Sequence, residues 1–150
     1  MNEEIKSKIL SILDQHRIMT ISTLRPDGWP QATTVGYAND GLTLYFLCGP
    51  DSQKAKNLAR DDRVSLTVDH DTPQVMEITG VSMAAHTQAV TNPVEAQKVL
   101  GMLMARYPEQ QSLPLPMPDP ADIRIFRVVP KVISVLDYAK GFGHTDLVTC

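Results

Sequence analysis

Long apolar runs are missing from this chain, as are clustered cysteines, an excess of aromatics and a strong net charge of either sign. No apolar stretch approaches the roughly 20 residues that a membrane-spanning helix needs. The N-terminal MNEEIKSKIL carries acids and no apolar block of the signal-peptide kind. The two cysteines, Cys48 and Cys150, stand far apart and give neither a metal-ligand spacing nor a disulfide framework. The four histidines show no ligand spacing either. A net charge of -3 and a pI near 5.7 offer no broad field for nucleic acid or an anionic membrane, so any anion site must be local. There is no glycine-rich GxGxxG turn and no Ser-His-Asp pattern. These absences predict a cytoplasmic protein with neither a nucleic-acid nor a membrane partner.

What is present suits one domain over residues 1–150, because 43% apolar content in 150 residues is enough for a real core. Ile5, Ile9, Ile12 and Leu13 recur at helical spacing and predict an amphipathic helix over about Glu3–Gln15. Ile18–Leu24 reads as a strand, Arg25-Pro26-Asp27-Gly28 as a turn, and Trp29–Tyr37 as a second strand. Asn39-Asp40-Gly41 predicts a tight turn into a third, giving an antiparallel meander. Val64–Val68 alternates as a strand, and Gln74–Val90 reads as a long β stretch with a bulge or bend near Gly80. Asn92-Pro93-Val94-Glu95 starts a helix to about Tyr107. Ser112–Pro120, with four prolines, predicts an irregular connection. Ile123–Val129 and Val132–Leu136 are β with Pro130 at an edge or bulge, and Asp137–Cys150 is a flexible tail around Phe142 and His144. The pattern predicts a mainly β fold with α, six to seven antiparallel strands in a small closed barrel with helices over its openings.

Leu42–Leu58 is the stretch most suggestive of function. Leu42, Leu44, Phe46 and Cys48 fall on one face of a strand that Gly49-Pro50 stops, and Asp51 or Ser52 then caps a helix to about Arg60. Lys54 and Lys56 stand in that helix's first turn, where cations oppose the dipole unless something negative binds nearby. A capped helix N-terminus with a lysine beside it is a plausible phosphate seat.

The ordered set Asp27-Gly28-x-Pro30, Leu44-Tyr45-Phe46, Ser52-x-Lys54, Asn57-Leu58, Arg63-Val64-Ser65-Leu66, Gln74-Val75-Met76-x-Ile78-x-Gly80 and Phe126-Arg127-Val128 resembles the FMN-binding split-barrel flavoproteins related to pyridoxamine 5'-phosphate oxidase. The resemblance runs over about Ile18–Leu136. It implies that Ser52, Lys54 and the strand end near Phe46 and Cys48 hold the flavin phosphate. It also implies that Thr33, Thr34, Val35 and Gly36 line the isoalloxazine ring and that Gln74 reaches it. It further implies that the six to seven strands form an antiparallel split barrel with flanking helices, a homodimer with FMN between the subunits, and a small-molecule substrate. Phe142 in the glycine-flanked tail is a further candidate to close over the ring.

The match has two departures. The oxidase places an arginine for the flavin phosphate where this chain has Thr33, so hydroxyls, Arg25 or Arg63 would have to compensate and Ser52 and Lys54 would carry more of the phosphate. The oxidase also ends in a Trp- and Arg-rich segment that Asp137–Cys150 lacks, which argues against pyridoxamine phosphate oxidation itself. The expectation is an FMN-dependent oxidoreductase with no evident general acid or base. A non-catalytic flavin module or redox sensor, and a deazaflavin or haem in place of FMN, stay open, as does a plain dimeric scaffold.

Overall fold

A computed structural model describes residues 1–109 and 119–150. Helix α1 (Glu3–Gln15) begins on the side chain of Asn2, which accepts from the Glu4 and Ile5 amides, and it buries Ile9, Ile12 and Leu13. Strands β1 (Ile18–Leu24) and β2 (Pro30–Gly36) form an antiparallel hairpin. Gly28 turns it with φ 85°, a conformation that favours glycine. Short β3 (Ala38–Asp40) pairs with β4 (Thr43–Cys48), and α2 (Gln53–Arg60) leads to β5 (Arg63–Asp69). β6 (Thr79–Ala89), α3 (Pro93–Arg106), β7 (Arg124–Asp137) and β8 (Thr145–Thr149) complete the chain.

The strands make one antiparallel sheet in the order β2-β1-β5-β6-β7-β4-β3, with β8 also on β7. In a flat sheet, β2 and β3 would stand six spacings apart, about 29 Å. Yet only Tyr37 joins them, and consecutive Cα atoms are about 3.8 Å apart. The sheet therefore curls until its ends meet, which is the split barrel. Ile21, Leu44, Phe46, Leu66, Val81, Val128 and Ile133 fill its interior, and Phe46 stacks on Phe126 at 5.5 Å. A second cluster, with Tyr45, Val99, Leu100, Ile123 and Ile125, buries the outer face of β4 under α3.

Several sequence expectations need correction. The meander does not form: β2 pairs with β1 alone, and β4 pairs with β3 and β7. Tyr37 separates β2 from β3 because its ring turns inward, 0% exposed. The long β stretch begins only at Thr79, since Val75–Glu77 is a 3-10 turn and Gln74 precedes it outside any strand. The bulge lies not at Gly80 but where Ala84/Ala85 face Val132 and Pro130, leaving Lys131 without a partner on β6. Gly80 answers a different need: a Cβ there would stand 2.9 Å from the Val68 carbonyl. The tail is not loose, because Thr145–Thr149 pairs along Val132–Leu136. With β3 and β8 the strands number eight among the described residues. The expected connection Ser112–Pro120 falls mostly outside the described residues; Pro120–Asp122 is a 3-10 turn.

Tyr37 holds the closure chemically as well as sterically. Its hydroxyl donates to the Leu13 carbonyl at 2.6 Å, its amide donates to Arg17, and Arg106 lies over its ring at 5.2 Å. Burial pushes its phenol up to about 12, against the pull of Arg106. Tyr37→Phe should lower unfolding free energy by about 1 kcal/mol, the worth of one such hydrogen bond, in urea denaturation. The sign of the pH effect follows from the raised folded value. The contribution is full below the ordinary phenol value of 10.0 and is lost as pH rises toward about 12. The wild-type minus Phe-variant stability difference should shrink across that window.

Candidate functional site

Of the sequence candidates, Cys48, Ser52 and Lys54 stand at the end of the barrel that α2 covers. The side chain of Asn57, 0% exposed, fixes that helix. Its amide donates to Thr23 Oγ1 at 2.9 Å on β1 and, more weakly, to Gln31 Oε1 at 3.5 Å on β2, while its carbonyl accepts from Gln53 at 2.8 Å. Arg60 adds a 2.6 Å bond to the Leu24 carbonyl. The resemblance motif included Asn57, but not this positioning role. The available signal was an asparagine between positions whose apolar neighbours, Ala55 and Leu58, are buried.

Ser52 caps α2 as expected, and its hydroxyl is fully engaged: it accepts from the Ala55 amide at 3.1 Å and donates to the Gly49 carbonyl at 2.7 Å. In this structure it therefore serves the backbone. Lys54, at the second helical position, is half-buried and has no hydrogen-bond or ion-pair partner among the described residues. The first turn holds no acid to balance it; exposed Asp51 precedes the cap. The amides of Gln53 and Lys54 have no acceptor within the helix. A cleft of about 430 Å³ beside this turn is lined by Arg25, Pro26, Asp27, Gln31 and Gln53. On the other flank of α2 a cleft of about 320 Å³ takes in Pro50, Lys56, Thr87, Arg124 and Phe126.

On β2, Gln31, Thr33 and Val35 face inward. Among the described residues Thr33 Oγ1 is the buried side-chain polar atom without a hydrogen-bond partner. Such an atom destabilises a fold by about 1–3 kcal/mol unless a ligand or water meets it. Thr34 points out beside Thr20, and Val35 packs against the core. Gly36 lies under Tyr107, whose hydroxyl would sit 2.8 Å from a Cβ there. Cys48 ends β4, a half-buried free thiol packed against the core.

Three candidates lie elsewhere. Phe46 is 0% exposed and belongs to the core, with no surface for a ligand. Gln74 and Phe142 are exposed at the opposite end of the barrel, where the Val75–Glu77 and Tyr138–Lys140 turns meet through a Tyr138 amide bond to Ile78. Phe142, 78% exposed, touches Tyr138 edge to face at 5.6 Å. The length of β5, about 23 Å, separates the two ends.

The arginines offered as substitutes are occupied. Arg25 pairs with Asp27 at 2.8 Å, and Arg63 grips Asp61 through two nitrogens at 3.0 and 2.7 Å. The Arg63 side chain and amide hold the half-buried Asp61 carboxyl down at about 2. Whatever that pair contributes is present above the ordinary carboxyl value of 3.8 and is lost as pH falls toward about 2. In an NMR titration Arg63→Ala should raise the Asp61 midpoint toward 3.8 but not to it, because the amide at position 63 still donates to the carboxyl.

Among the described residues no group of three or more His, Cys, Asp or Glu could hold a metal ion, and no helix is long and apolar enough to cross a membrane. Comparison with known proteins gives a consistent answer. General stress protein 26 of Bacillus subtilis is 28% identical over 69 residues, 46% of this chain and 49% of that protein, so the match spans about half the curated relative's length. A conserved hypothetical protein from Mycobacterium tuberculosis superposes with a TM-score of 0.77 at 26% identity, over 97% of this chain and 91% of that one. The haem storage protein of Vibrio cholerae superposes at 0.67 and 16% identity, over 95% and 92% of the two chains, a likeness of fold alone. The family model described as pyridoxamine 5'-phosphate oxidase matches residues 5–137. The curled antiparallel sheet, the capped α2 and this match over most of the length lead to one conclusion: the chain belongs to the pyridoxamine 5'-phosphate oxidase family.

Proposed function

We propose that this chain binds FMN at the α2 end of the barrel and uses it as an oxidoreductase acting on a small molecule. The observation that carries the reading is Lys54, a half-buried cation without a partner among the described residues, in a helix turn that has no acid. A phosphate there would satisfy the lysine, the free first-turn amides and the helix dipole together. Thr33 is the second support, since its unpartnered hydroxyl on β2 is suited to a polar edge of a ring. When bound, FMN would supply hydride or electron transfer. The chain's share is to seat the phosphate through Lys54, to orient the ring along β2, and to keep water from the seam beside Val35 and Cys48.

The far position of Gln74 and Phe142 supports a homodimer. The outer sheet face carries Thr34, Thr20, Thr67, Ser82 and Ser134 in one register row, small and uncharged. A second copy laid antiparallel on that face would bring its Gln74 end to this α2. Exchange of the subunits to monomers at sedimentation equilibrium would remove that half of the site.

A second reading has its own observation. His144 Nε2 lies 3.2 Å from Asp146 in a glycine-flanked loop beside the exposed Phe142. A histidine oriented by a carboxylate is suited to an iron ligand, and a structural neighbour is a haem storage protein. A flavin spectrum against a Soret band, with the mass of the released ligand, separates FMN, deazaflavin and haem. Reduction by NADH or NADPH followed by turnover with an acceptor separates an oxidoreductase from a non-catalytic flavin module.

Purified protein should take up added FMN, and Lys54→Ala should weaken that uptake at least tenfold in a fluorescence titration; a protein that takes up none overturns the reading. Thr33→Val should act in two directions at once. It removes an unsatisfied buried oxygen and should raise apo-protein stability by about 1 kcal/mol. It should also loosen FMN, and unchanged flavin affinity would take Thr33 out of the site.

A further inference from the structure

Outside the α2 end, two imidazoles converge from segments 54 residues apart. His16 is the C-cap of α1, and His70 follows β5 directly. His70 Nδ1 and His16 Nε2 stand 3.2 Å apart, with the rings edge to face at 78°. His16 is half-buried and His70 exposed, so solvent reaches the pair.

We propose that His16 and His70 form a two-histidine site for a divalent transition-metal ion of the zinc, nickel or copper class. The warrant is geometric. Two imidazole nitrogens about 2.0–2.1 Å from one metal stand about 3.3 Å apart at a tetrahedral angle and about 2.9 Å apart at a right angle. The separation in this chain falls between these values. Without metal the same distance is a hydrogen bond in which one ring donates and the other accepts, so the pair is already set at a ligand bite. The backbone behind it is fixed: the His16 carbonyl accepts from Arg106 at 2.5 Å, and Asp69 next to His70 pairs with Gly80. Water would complete the coordination. The ion would clip the end of α1 to the exit of β5, closing a long loop and opposing its opening in the unfolded chain.

The test uses the full chain with Cys150→Ser as background, which removes the exposed thiol. Titration with Ni²⁺ or Zn²⁺ alone, by calorimetry, should show one ion per chain and a raised unfolding temperature. His16→Ala and His70→Ala should each weaken binding at least tenfold and abolish the metal-dependent rise, with metal-free melting close to that of the background protein. Absence of binding, or unchanged affinity in either variant, overturns the site. Should His16→Ala fail to fold, exposed His70→Ala decides alone.

Discussion

The structure depends on a short covalent span. Gly36 ends β2 and Ala38 begins β3, so the two ends of the sheet path are held together through one buried tyrosine. No arrangement of seven hydrogen-bonded strands can satisfy that link without curling. The curl in turn creates an interior that Ile9 and Leu13 of α1 help to fill. Arg106 strengthens the corner from α3: it donates to the Leu13 and His16 carbonyls and to the Asn39 side chain, and so neutralises the carbonyl end of α1 while lying on Tyr37. Three segments distant in sequence are thereby fixed to one point.

A closed corner on one side leaves a seam on the other, and the candidate site uses it. Asn57 is buried and satisfied on both amide atoms, so α2 cannot slide along β1 and β2 without orphaning it. With the helix pinned, its first turn always presents the same amides and the same lysine. The neighbouring arginines face carboxylates two positions away in sequence, which removes them from competition for an anion. The local field is therefore set by Lys54 and the helix terminus, although the chain as a whole is acidic.

Elements whose signals are local were legible in the sequence. α1, β1, the Ser52 cap and the Asn92-Pro93 start all rest on spacing or on a side chain bonding within three residues, and they stand where the residues put them. The misreadings needed distant partners. Nothing near Gly80 says that the Val68 carbonyl approaches it, and nothing near Lys131 says that Ala84/Ala85 shift register opposite it. β8 was invisible because Thr145–Thr149 owes its extended form to the ladder on β7. For the site, the helix cap and lysine were readable as an anion seat. That Thr33 would be an orphaned oxygen and Phe46 a wholly core ring was not, because both follow from which way strands face after the sheet has curled.

The family resemblance treats Ser52, Lys54, Thr33 and Gln74 as one site, to which the tail adds Phe142, whereas a single chain divides these residues between two ends of the barrel. Neither end can move toward the other without breaking β5, which is paired along its full length with β6 and held on its other side by β1. A cofactor spanning both sets would need two chains, each giving one end, as in the proposed homodimer. The outer face between those ends is the one such a pairing would use. Its central row of hydroxyls is short and uncharged and loses less on desolvation than lysines or acids would, while Arg63 and Asp69 stand at the two ends of the same face on β5. Within one proposed pair, the same strands that separate the half-sites in each subunit would supply the surface that joins the subunits.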